Sequence, residues 1–65
     1  MNIPLKDQLA ELRREARYRR AAYPRFVARG TLTQEDANRR EIRLAAAILT
    51  MQRLVEREEE PSLPL

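Results

Sequence analysis

Sixty-five residues with no cysteine and no histidine leave room for one small domain and exclude disulfides, thiol or imidazole metal sites and most nucleophilic catalysis. Nine of the 28 hydrophobic residues are alanine, so a core built from this chain alone is thin against the ~1.5 kcal/mol per residue that ordering costs. The net charge is +3, and twelve of the thirteen cations are arginine, eight basic against three acidic groups falling in residues 1–33 and five against seven in 34–65. These features predict no enzyme, no small-molecule substrate, no cofactor and no metal.

The first element opens after Pro4, which suits the first turn of a helix. Leu5, Leu9, Leu12 and Ala16 step by four, three and four, a helical heptad seam that continues through Arg19, Tyr23 and Phe26. Pro24 removes a backbone donor from this stretch and crowds the turn before it. Because the seam keeps its phase on both sides, the pattern predicts one helix over 5–29, kinked at Pro24 but continuous. Gly30, the only glycine, stands where a left-handed C-cap is wanted.

A turn over 30–33 leads to the second element. Thr33 reads as an N-cap, Glu35 and Asp36 after Gln34 place carboxylates in the first turn, and Thr33 with Asp36 resembles a capping box. Glu35–Arg39 and Asp36–Arg40 stand at i,i+4 spacing. The helix is expected over 34–58, ending at the acidic run before Pro61, and residues 61–65, with two prolines, read as a disordered tail.

Two helices of this length joined by four residues make an all-α antiparallel hairpin. Facing residues should have numbers summing to about 63. Leu9 then meets Val55, Leu12 meets Met51, Ala16 meets Ile48 and Phe26 meets Ala37. Arg19 lands opposite Leu44 and near Glu41, so its stem packs while its guanidinium snorkels to a carboxylate. The second helix is apolar beyond what this pairing uses. Ile42, Ala45 and Leu49 flank the seam, and a helix apolar on two faces needs two neighbours. This predicts a homodimer that closes into a four-helix bundle.

The segment Arg19-Arg20-Ala21-Ala22-Tyr23-Pro24-Arg25-Phe26-Val27-Ala28-Arg29-Gly30-Thr31-Leu32-Thr33 resembles a set of short uncharacterised proteins of temperate phages and prophages of Gram-negative bacteria. They share an Arg-rich helix, a Tyr-Pro-Arg-x-Val-x-x-Gly step and a second helix, to whose core Ala45-Ala46-Ala47-Ile48-Leu49-Thr50 is similar. The resemblance covers roughly residues 13–55. This chain departs from it at Phe26 and in its acidic, proline-bearing tail. It implies no activity, but a phage context, in which small accessory proteins bind host or phage machinery.

Arg13, Arg17 and Arg20 share one helical face, and Arg25 and Arg29 extend the basic surface past the proline. Such a stripe can neutralise phosphates, meet an acidic protein surface, or stand as a solvated face laced with Glu11–Arg14 and Glu15–Arg19 pairs. Tyr23, Pro24 and Phe26 either form a recognition knob at the hairpin end or pack the turn. Glu56, Glu58, Glu59 and Glu60 read as a solvated helix end, without the loop that a divalent cation needs. No stretch approaches a membrane span and no targeting segment is evident, so a cytoplasmic protein is expected, in the host bacterium if phage-encoded. The functional expectation is a non-enzymatic module that binds and modulates or inhibits a host or phage protein, such as a defence or transcription component. The alternative is a dimeric nucleic-acid-binding regulator using the Arg-rich first helix.

Overall fold

The computed structural model describes residues 2–59. Two helices make it up, α1 (Leu5–Arg29) and α2 (Gln34–Glu59), packed along their length as an antiparallel hairpin, with no strand among the described residues. The expected limits of α1 and the turn hold, and α2 runs one residue further than expected. The acidic residue Glu60 and the proline-bearing tail 61–65 lie outside the described residues.

Local chemistry sets the ends. At the start of α1 the Pro4 carbonyl accepts the amides of Asp7 and Gln8, while the Gln8 side chain donates to the Ile3 carbonyl at 2.9 Å. Pro4 therefore stands just before the first turn, with no side-chain cap to help it. At the other end Gly30 adopts φ 79°, ψ 12°. Its amide donates to Val27 and the Thr31 amide to Phe26, both at 3.0 Å, which satisfies two terminal carbonyls in a Schellman arrangement. The Thr31 hydroxyl adds a second donor to the Phe26 carbonyl at 3.1 Å.

Thr33 caps α2 as its sequence position implies, its Oγ1 accepting the Asp36 amide at 3.1 Å. The reciprocal half of a capping box is replaced. The Asp36 carboxylate accepts from Arg39 at 2.8 Å, an i,i+3 pair. Asp is one methylene shorter than the usual Glu, and a guanidinium one turn on offers a charged donor, which outcompetes a backbone amide. The same pair takes the place of the expected Asp36–Arg40 and Glu35–Arg39 bridges.

The helices face each other in the expected register. One cavity between them is lined by both Ala16 and Ile48, and another, at the open end, by Leu5, Val55 and Glu58. The core is small. Among the described residues Leu9, Ala22, Ala37 and Leu44 are the buried ones, two of them alanines. Leu12, Ala16, Tyr23, Phe26, Ile48, Met51 and Val55 on the seam stay half-exposed. Ile42 and Leu49 are 70% and 48% exposed. A single helical neighbour covers one stripe of each helix and leaves the flanks open.

Candidate interaction surface

The seam changes character about midway along the hairpin, where Arg19 of α1 and Glu41 of α2 replace apolar residues. The Arg19 guanidinium does not meet Glu41. It donates to Glu15 at 3.0 Å and to the Arg40 carbonyl at 3.2 Å, and it stacks 5.6 Å from the centre of the Tyr23 ring. Glu15 sits one turn back on the same helix and holds the guanidinium in place without crossing the interface. Glu41 is left with its Oε1 covered by protein and no donor to it.

Glu41 and Arg20 border a groove that runs along one side of the hairpin. Toward the turn it encloses about 270 Å³ between Arg20, Tyr23 and Pro24 on α1 and Ala37, Asn38 and Glu41 on α2. Toward the open end it encloses about 390 Å³, between Ala16 and Arg20 on one wall and Glu41, Ala45, Leu49 and Gln52 on the other. The two stretches meet at Arg20 and Glu41, which border both.

This places the expected binding residues. Arg20 lines the groove wall, and by helical phase Arg13 and Arg17 stand about 20° and 60° round α1 from it, on the side away from Ala16 and Tyr23. Ala45 and Leu49 line the opposite wall, and Ile42 stands two turns before Leu49 on α2, outside the residues that line the groove. The cationic stripe and the apolar flank are thus two edges of a single face, where the sequence presented them as separate surfaces. Arg25 and Arg29 do not join that face. On a continuous α1 they stand about 140° and 180° round the axis from Arg20, and both are exposed.

The hairpin end is packed by its own aromatics. Tyr23 and Phe26 are half-buried with ring centres 6.2 Å apart and planes tilted by 41°, whereas Pro24 is exposed and forms part of the groove lip. Folding also re-sorts the charge. Residues 17–46, the half of the hairpin nearest the turn, carry eight arginines against Glu35, Asp36 and Glu41. The rest of the described chain carries five cations against six carboxylates. The asymmetry between N- and C-terminal halves becomes one between the turn end and the open end. Its signal was in the sequence, because a hairpin sets equal numbers either side of the turn side by side.

Among the described residues no group of three acidic side chains converges as a metal site, and no helix is long and apolar enough to cross a membrane. No protein-family model, curated protein or solved structure matches the chain.

Proposed function

We propose that this chain is a small, non-enzymatic helical interaction module, of the phage-encoded kind that its Tyr23-Pro24-Arg25 step resembles, which binds a host or phage protein in the bacterial cytoplasm and modulates or inhibits it. It works as a homodimer, two hairpins closing into a four-helix bundle through the face that carries Ala45 and Leu49, with α1 bent where Pro24 leaves the Arg20 carbonyl without its helical donor. A core of only four buried residues among those described supports this association. Dimerisation covers the Arg13–Arg17–Arg20 edge and leaves the outward cations near the turn, Arg25 and Arg29 among them, for the partner.

The observation that carries the reading is the charge gathered at the turn end, eight arginines against three carboxylates. A surface of that sign fits an acidic protein surface, and the arginine fork gives directed contacts to carboxylates. The same cluster favours a second reading, a dimeric nucleic-acid-binding regulator, in which those arginines neutralise phosphates.

One experiment separates the two. Wild type and the Arg25→Glu/Arg29→Glu variant are used to capture protein from a Gram-negative host lysate, and each is titrated with duplex DNA between about 50 and 200 mM salt. The interaction reading expects a protein that wild type retains and the variant loses, re-binding as a purified pair, with little affinity for DNA at the higher salt. DNA binding that persists there in the wild type, with a slope of several counterions lost in the variant, replaces it with the regulator.

A further inference from the structure

We propose that the groove is closed by a second copy of the chain laid with its turn at the same end, α1 of each hairpin over α2 of the other, so that Arg20 of one copy seats on Glu41 of the other. The inference rests on the self-association just proposed and assigns its geometry.

The two edges of the groove differ in chemistry. Along α1 run Lys6, Arg13, Arg17 and Arg20, on one line by helical phase, with no carboxylate among them. Along α2 run Glu41, Ala45, Leu49, Gln52 and Glu56 at steps of four, four, three and four. Two hairpins can pack face to face about a twofold axis in two ways. An axis across the helices stacks α1 on α1 and lays the cationic line on itself, where like charges oppose one another in a surface losing its water. An axis along the helices stacks α1 on α2 and lays the cationic line on the mixed one.

That second axis also settles the register. Rotation about a line parallel to the helices moves no residue along them, so the sum of about 63 that pairs residues within a hairpin also pairs them between copies. Arg20 then lies level with position 43 of the second copy, about 3 Å of helix rise from its Glu41 and within the span of an arginine side chain. Lys6 lies level with position 57, beside the second copy's Glu56. Arg17 lies over Ala45 and Ala46, whose small side chains admit its stem.

Glu41 is what singles out this arrangement. Glu41 borders the groove while its Oε1 is covered by its own chain without a donor, which is costly to maintain, and a cation laid in the groove offsets that cost through space rather than by a bond to that oxygen. Arg19, the cation nearest to it on the seam, is already committed to Glu15 and to the Arg40 carbonyl. Two guanidiniums and two carboxylates alternating across the axis give each copy's Glu41 a charged neighbour from the other.

The test begins with the wild-type sequence carrying a single substitution, Arg29→Cys, at the exposed end of α1, since the chain has no other cysteine to label. Nitroxides there are expected within about 30 Å of each other, given interaxial distances of 8–10 Å. Turns at opposite ends would separate them by a helix length, about 37 Å or more, and overturn the arrangement while leaving a dimer. Sedimentation of the same sample reports association separately, and a folded monomer there refutes the self-association reading itself. The second arm uses Arg20→Glu and Glu41→Arg. Each alone is expected to weaken the dimer on the order of 30-fold, and an equimolar mixture to recover heterodimers near wild-type strength, because both cross-pairs regain opposite charges. Recovery is read against the label distance, and a mixture no tighter than either variant alone overturns the Arg20–Glu41 contact.

Discussion

Replacing Gly30 by alanine isolates one backbone effect in this fold. The residue sits at φ 79°, in the left-handed region, and a Cβ built there meets no atom within 4 Å. No clash contributes, so the cost is intrinsic to placing an L-residue in that conformation, about 1–2 kcal/mol. The alanine chain also loses less freedom on folding, which offsets ~0.4–1 kcal/mol. The net expectation is a loss of about 1 kcal/mol, or ~4–8 °C in melting temperature for a domain of this size. Thermal unfolding followed by circular dichroism at 222 nm, at one fixed protein concentration, measures it. Gly30→Asn should lose less, because the asparagine side chain tolerates the left-handed region. An alanine variant as stable as wild type would refute the C-cap, and with it the reason the chain reverses at this point.

Thr33→Ala removes the oxygen that accepts the Asp36 amide and should cost ~1 kcal/mol, with Thr33→Asn close to neutral, by the same melting assay. Pro24→Ala restores a donor within a continuous helix and should raise stability, by at most ~3 kcal/mol; unfolding of this variant would show that Pro24 holds the turn end together. Leu44→Ala empties the larger of the two buried positions on α2 and should cost ~2–5 kcal/mol in urea unfolding. Leu49→Glu places a charge on the open wall of the groove and should leave a largely unfolded monomer, measured as lost helicity together with a halved mass, since folding and association are coupled in a hairpin with so small a core.

Both helices and their junction were legible because their signals are local. A heptad seam, one glycine and one threonine before a carboxylate pair are statements about neighbours within a turn, and the backbone obeys them. The pairing register was legible too, since a short turn leaves an antiparallel hairpin little freedom to slide. Pairings between side chains were harder. Arg19 had Glu15 and Glu41 within reach, and it takes the carboxylate one turn back on its own helix while its Nη1 crosses the seam to the Arg40 carbonyl instead of to Glu41. Asp36 likewise takes Arg39 over Arg40. The surface was the least legible part. Seam residues mark which stripes meet, and in an antiparallel pair those stripes and the right-handed sense of both helices also fix which flanks lie side by side. That step brings Arg20 beside Ala45 and Leu49, and a linear reading of the arginines leaves it out, putting Arg25 and Arg29 on a surface that the helical turn divides.

The account turns on whether this hairpin stands alone. Sedimentation equilibrium of the full chain at tens of micromolar, with helicity measured on the same solution, tests it most directly. The account predicts a strongly helical species of twice the 7.7 kDa chain mass, losing helix as it dissociates on dilution. A stably folded 7.7 kDa monomer at that concentration would contradict it.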